Sequence, residues 1–336
     1  MTPQTAAPLL EIKGLSKRFS HKPDLAERIA GRLGATVDLR VVHAVDGVDL
    51  AVARGEVVGL VGESGCGKST LGRMIAGILP QTEGELYFDG HESATWTDDR
   101  KHAAQRSVQM IFQDPMSSLN PRKRVQDIIG EAPRVHGIVD RTSVDDYVGD
   151  LMTKVGLDPA YRRRFPHQFS GGQRARIGIA RALAVKPRFL VCDESVAALD
   201  VSIQAQVLNL FMDLRREFDL TYLFISHDLG VVEHLSDRVA IMYLGRIVER
   251  APTEELYRTP NHPYTQALLS EVPRIGTGKR TFAPIKGEIP SPVSPPSGCH
   301  FHPRCPQAME RCRIERPALR EIAPGRWSAC HLNDPS

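Results

Sequence analysis

The sequence has no run of about 18 apolar residues, so no segment reads as a membrane-spanning helix. The best stretches, such as LTYLFIS, are interrupted by polar residues within a few positions. Its first residues, MTPQTAAPLLEIKG, have neither a basic n-region nor an apolar h-region, which argues against a secretory signal. Charge of one sign is also lacking. Lys and Arg number 43 against 40 Asp and Glu, and a net charge of +3 is too weak a field to point to nucleic acid. No internal repeat is visible, so one catalytic unit per chain is expected. Tight C-x2–4-C pairs, the usual mark of a zinc site, do not occur. These absences point to a cytoplasmic protein, where disulfides are rare and clustered cysteines suggest metal or redox chemistry.

What is present is an ordinary globular composition, 41% hydrophobic and 25% charged, in 336 residues, enough for two or three lobes. Residues 9–20 read as a short edge strand and 21–42 as a basic, irregular insert. Two strands with a turn at Arg54-Gly55 are expected over 44–62, then a helix from Lys68 to Leu79. Strands follow at 84–90 and 106–113, and the apolar spacing turns helical from Pro115 to about Lys186. RFLVCDE (188–194) and LTYLFISHD (220–228) are continuous apolar runs of the kind buried on both faces, with an amphipathic helix over 201–218 between them. Strands alternating with helices predict an α/β fold around a parallel sheet. Five prolines in 284–298 mark a linker or extended arm before a cysteine-rich tail.

GESGCGKS, Gly62 to Ser69, fits G-x-x-x-x-G-K-[ST] between an apolar strand and a helix, the context this phosphate loop requires. Glycines let successive N–H groups of Gly62, Glu63, Ser64, Gly65, Cys66 and Gly67 turn inward, and the helix N-terminus at Lys68 to Thr70 adds its partial positive charge. Lys68 reaches the β- and γ-phosphates and the Ser69 hydroxyl ligates Mg²⁺. Cys66 reads either as a small filler or as a thiol activated by Lys68 and the helix end.

Asp193 and Glu194 end a buried strand, where α/β sheets bind ligands. Asp193 suits Mg²⁺, and Glu194 is placed to polarise an attacking water. Gln113 in IFQDP and His227 in LFISHD end two further strands. Gln113 suits both Mg²⁺ and the water, and His227 suits the γ-phosphate. FSGGQRARIGIARAL, from Phe169, places the N-cap Ser170 before Gly171 and Gly172, a second anion site in a chain whose first already holds a nucleotide. Such a site suits a nucleotide held by a partner subunit.

Here the chain resembles the nucleotide-binding subunits of ABC transporters, through GESGCGKST, IFQDP, FSGGQ, FLVCDE, AALD and ISHDL in family order over roughly residues 9–250. Phe169 in place of the common Leu and Ala197 in place of the common Ser depart from the pattern without removing a phosphate ligand. The resemblance implies a P-loop NTPase (RecA-like) core with an antiparallel β subdomain and an inserted helical subdomain at about 115–185, in a cassette over 9–260. It also implies that Ser170, Gly171, Gly172 and Gln173 contact the γ-phosphate across a head-to-tail dimer, that Asp200 lines the same seam, and that Phe19 stacks on adenine. NHPYTQALLSEVP and IKGEIPSPVSPPSGCHFHPRCP narrow it to the ATPase subunits of dipeptide/oligopeptide importers, nickel importers included. The phosphate-loop region is similar to that of the second of their two ATPase subunits. That implies a sister ATPase, two membrane permeases, an extracytoplasmic binding protein and a peripheral place at the cytoplasmic face of the membrane. A nickel or other small-solute importer, or a non-transport ABC ATPase, is the alternative.

The same resemblance implies a C-terminal extension over 261–336. Its Cys299, Cys305, Cys312 and Cys330 are separated by 5, 6 and 17 residues. Thiols so loosely spaced suit a [4Fe–4S] cluster, as in that subfamily, with zinc or free thiols as alternatives and His300, His302 and His331 available for mixed ligation. Pinning a tail too small for its own core is the expected role, with redox control of transport the sharper alternative.

Overall fold

The computed structural model describes residues 7–20, 40–271 and 287–334. Most of the basic insert, 21–39, and the first part of the proline-rich segment, 284–286, lie outside the described residues.

Two sheets organise the fold. Strands β1 (Leu10–Ser20), β2 (Val41–Val52), β4 (Glu83–Phe88) and β5 (His91–Glu92) form an antiparallel sheet in the order β2-β1-β4-β5. The first strand is therefore interior, with β2 on one side and β4 on the other, and the expected edge position is corrected. The second sheet runs β11-β12-β10-β9-β3-β8-β7-β6. It is built from β3 (Val57–Val61), β6 (Val108–Ile111), β7 (Phe189–Asp193), β8 (Thr221–Ser226), β9 (Arg238–Tyr243), β10 (Arg246–Pro252), β11 (Arg320–Ala323) and β12 (Arg326–Ser328). Strands β9, β3, β8, β7 and β6 are parallel. Every residue of β3, β7 and β8 is buried, which accounts for their unbroken apolar sequences.

Helices α1 (Lys68–Ile75), α2 (Asp98–Ser107), α3 (Pro115–Ser118), α4 (Val125–Val135), α5 (Val144–Lys154), α6 (Gly171–Leu183), α7 (Val201–Phe218) and α8 (Leu229–Leu235) follow in chain order. Helix α1 stops short of Leu79. Gly77 takes φ 69°, its N–H bonds the Met74 carbonyl at 3.0 Å, and the Ile78 N–H bonds the Arg73 carbonyl at 2.9 Å, closing a Schellman turn. The strand expected at 106–113 shortens to 108–111 because Arg106 and Ser107 complete α2.

The chain closes with α9 (Thr253–Arg258), α10 (Pro263–Ser270) and α11 (Glu310–Ile314). Its last strands join the main sheet, since β12 pairs antiparallel with β10. Tyr243, Tyr264 and Phe301 stack on one another with ring centroids 4.7 to 5.3 Å apart. The described part of the proline-rich segment lies against β2, where the Pro292 carbonyl accepts the His43 N–H at 2.9 Å, so these residues do not form a free linker.

His262 locks this region. It is 1% exposed, its N–H donates to Glu249 at 2.8 Å, and its Nδ1 accepts the Tyr264 N–H at 3.1 Å as the cap of α10. An Nδ1 that accepts carries no proton, and burial depresses the ring's pKa to about 4. Between about 4 and the ordinary 6.5 the unfolded chain binds a proton that the folded chain does not, so stability falls as pH falls through that window. At pH 5 the loss is about 2 kcal/mol. Glu249, raised by burial, acts in the opposite direction. The measurement is therefore the difference between wild type and His262→Asn, a cap that does not titrate: thermal melts at pH 7.5 and 5 should show the smaller drop in the variant.

Candidate functional site

The loop between β3 and α1 is shaped by its backbone. Gly67 has φ 107°, and a Cβ there would lie 2.1 Å from the Ala44 carbonyl oxygen, so no other residue fits. Lys68 is 4% exposed and curls back, donating from Nζ to the carbonyls of Gly62 at 2.7 Å and Glu63 at 3.0 Å. A cleft of about 220 Å³ opens over the loop. Ser64, Gly65, Gly67, Lys68, Ser69 and Thr70 line it, with Gln113 and Glu194 facing them. Gly62, Glu63 and Cys66 do not line it. Val42, Ala44 and Pro292 do, and none of the three carries a motif that sequence could flag. Phe19 lies outside the lining, opposite Val42 in the sheet, with its ring 41% exposed and under the Lys17 ammonium.

Three strand ends meet beside this cleft, with Gln113 and Glu194 in its lining and Asp193 and His227 outside it. Ser69 donates to Asp193 Oδ1 at 2.8 Å, Gln113 Nε2 donates to Glu194 Oε2 at 2.7 Å, and His227 Nδ1 lies 3.3 Å from Glu194 Oε1. Glu194 has φ 46°, a left-handed conformation costing a non-glycine residue about 1 to 3 kcal/mol, and its N–H is tied to the Ile225 carbonyl at 2.9 Å. The strain aims its carboxylate at the cleft. Burial raises the pKa of Asp193, only partly countered by the Ser69 bond and the charges of Arg73 and Lys68; a divalent cation beside it would reverse that shift. Two acids, an amide, a hydroxyl and a buried ammonium around an anion-binding loop can hold a magnesium triphosphate and draw a proton from water.

Ser170, Gly171, Gly172, Gln173 and Asp200 are absent from the lining of this cleft. Ser170 caps α6, accepting the Gln173 N–H at 3.3 Å while Gln173 Oε1 accepts the Ser170 N–H at 3.0 Å. Ser170, Gly171 and Asp200 face solvent, and Val201 beside Asp200 is 83% exposed. A Cβ on Gly172 would come within 2.4 Å of Ile203, so the turn rests directly on α7.

All six cysteines are free. Cys66 is 3% exposed, and burial raises its pKa more than the charge of Lys68 lowers it, as the filler reading expects. Cys299 and Cys305 are raised by burial and Cys330 is pushed up to about 11 by burial, then by the charges of the other three tail thiols. The Cys299 N–H also bonds the Cys312 carbonyl at 2.8 Å. Among the described residues no three His, Cys, Asp or Glu side chains converge on a point where one metal ion would sit. Sequence alone assigns no role to Tyr264 or Arg304, both in contact with Glu63.

Residues 45–197 match the family model for ABC transporters, and residues 248–312 match that of the oligopeptide/dipeptide transporter C-terminal region. The chain is 47% identical to the oligopeptide transport ATP-binding protein AppF of Bacillus subtilis (strain 168), over 99% of each chain. It is 49% identical to the probable peptide ABC transporter ATP-binding protein y4tS of Sinorhizobium fredii (strain NBRC 101917 / NGR234), over 98% of this chain and 91% of that one. Among solved structures, cbiO1 from Clostridium perfringens, part of the ABC transporter complex cbiONQ, superposes with a TM-score of 0.61 at 24% identity, over 76% of this chain and 92% of that one. The ATP-binding cassette MJ0796, a dimer in a post-hydrolysis state bound to ADP and Pi, gives 0.60 at 24% identity, over 73% and 98%. At that identity the likeness is one of fold.

Proposed function

The chain belongs to the ABC transporter ATPases of the oligopeptide/dipeptide type, and from that premise we propose that it binds and hydrolyses ATP to drive import of di- and oligopeptides through membrane permease subunits. The observation that carries the chemistry is the meeting of Gln113, Glu194 and His227 at the mouth of the loop that holds Lys68.

On ATP binding, Lys68 exchanges the carbonyls of Gly62 and Glu63 for the β- and γ-phosphates. Ser69, Gln113 and Asp193 would hold Mg²⁺, whose contribution would be to neutralise phosphate charge. Glu194 accepts a proton from the water that attacks the γ-phosphorus. The bond to the bridging oxygen breaks, and ADP and phosphate leave. His227 bonds the γ-phosphate and Glu194 and so registers its loss. Ser170 to Gln173, with Asp200, complete the site of a second ATPase subunit, and a sister chain is the proposed partner. Phe19 supplies a stacking face for adenine. Supporting the shared site is the exposure of Ser170, Gly171 and Asp200, away from their own chain's cleft.

Cys299, Cys305, Cys312 and Cys330 would hold a [4Fe–4S] cluster, with zinc as the alternative, and the contribution of the bound group would be to pin the tail. Four free thiols within electrostatic range of one another support this. The proposed place is the cytoplasmic face of the membrane, with an extracytoplasmic binding protein delivering peptide. Among the described residues no helix is long and apolar enough to cross a membrane.

Isolation of the chain with its native membrane fraction should bring two multi-span permeases and a second ATPase. Vesicles carrying the set should take up labelled di- and tripeptides only with ATP. ATP-driven uptake of nickel without peptide, or no associated membrane protein, would overturn the peptide reading.

A further inference from the structure

Glu63, in the phosphate loop, is gripped from behind by the C-terminal extension. Its carboxylate takes a two-pronged bond from Arg304, Nη1 to Oε2 at 2.7 Å and Nη2 to Oε1 at 3.0 Å. Its backbone N–H donates to the Tyr264 hydroxyl at 2.9 Å. On the other side, its carbonyl accepts from Lys68 Nζ at 3.0 Å and from the Cys66 N–H at 3.3 Å. A single residue thus joins the extension to the ammonium that must meet the phosphates.

The platform behind it is stiff. The Arg304 side chain is 5% exposed, and among the described residues Glu63 is its only acidic partner within ion-pair reach. Its N–H is held by the Phe301 carbonyl at 3.0 Å, and Phe301, 1% exposed, is wedged between Tyr243 and Tyr264. Arg304 also lies 3.4 Å from the Tyr243 hydroxyl. Glu63 does not line the nucleotide cleft, so its side chain is occupied by this bond while its backbone shapes the loop.

We propose that Arg304 is a positioning residue for ATP binding: through Glu63 it fixes the curl of the phosphate loop and the resting place of Lys68, so the extension sets the affinity of the cassette for MgATP. This rests on the ATPase reading above. The ligand is the nucleotide's phosphate chain, and Arg304 acts on it only through Glu63. A loop freed from the extension samples conformations that cannot bind, and the observed affinity falls with the fraction that can.

The test is a double-mutant cycle in the full-length chain, read as the Kd of a fluorescent ATP analogue with Mg²⁺, alongside thermal melts. Arg304→Met is expected to raise Kd about tenfold, with Arg304→Lys recovering part of the loss because it keeps charge without the two-pronged geometry. Glu63→Gln should raise Kd similarly, and the double variant should bind no more weakly than the weaker single one. In the assembled transporter, KM for ATP should rise by a larger factor than kcat falls. A folded Arg304→Met that binds with wild-type affinity, or effects that simply add, would overturn the proposal. Should Arg304→Met fail to fold, Glu63→Gln alone decides it, since an unchanged Kd there means the clamp does not reach the loop. A wild-type chain that binds no MgATP would instead sink the ATPase reading, and this one with it.

Discussion

Replacing Glu194 by glutamine is expected to cut phosphate release by about a hundredfold or more while leaving ATP bound. The amide matches the carboxylate in shape, so the strained backbone at φ 46° and the tie to Ile225 survive. What is lost is the base, and a hundredfold corresponds to about 2.7 kcal/mol of barrier. Because binding precedes proton transfer, the variant should accumulate in the ATP-closed pair of ATPase subunits. Phosphate release and gel filtration with MgATP check both halves. Ordinary turnover by Glu194→Gln would remove Glu194 from its role.

The second large effect concerns the turn at Ser170. Ser170→Arg places a long cation where the partner's triphosphate is proposed to sit, and turnover by the assembled pair should fall by about a hundredfold or more. The local cost to folding is smaller than the roughly 2.7 kcal/mol that a hundredfold represents. Loss of the cap to α6 is worth about 1 kcal/mol, too little to unfold a helix whose Ile177, Ile179 and Leu183 are buried. A folded variant that binds MgATP as a single chain yet neither pairs nor hydrolyses separates the two contributions. If a strictly monomeric chain hydrolyses at the full rate, the shared site is wrong.

Much of the candidate site's arrangement was legible because its signals are local. Glycine spacing, a continuous apolar strand and an acid at its end occupy a few consecutive residues, and buried parallel strands put their ends on one edge by geometry. Elements whose cause is tertiary were not. Helix α2 is polar along its length with Ala104 its one buried residue, so no apolar stripe announces it. Strand β1 alternates too weakly to distinguish an edge from an interior position, and only its pairing with both β2 and β4 decides. The bond between Glu63 and Arg304 spans 241 positions, beyond the reach of any local pattern. Pro292 illustrates a different failure: a proline-rich composition suggests a tether, yet its carbonyl docks on β2 at the rim of the cleft.

The pairing of β12 with β10 has an evolutionary corollary. A cassette severed after residue 260 would present β10 as a bare ribbon inviting intermolecular stacking, and would lose Tyr264 and Phe301 from the aromatic nest around Tyr243. The last quarter of the polypeptide is thus no detachable accessory. Recombination between ATPases of this kind should preserve the stretch from β10 onward as one inherited block, together with the phosphate loop it braces.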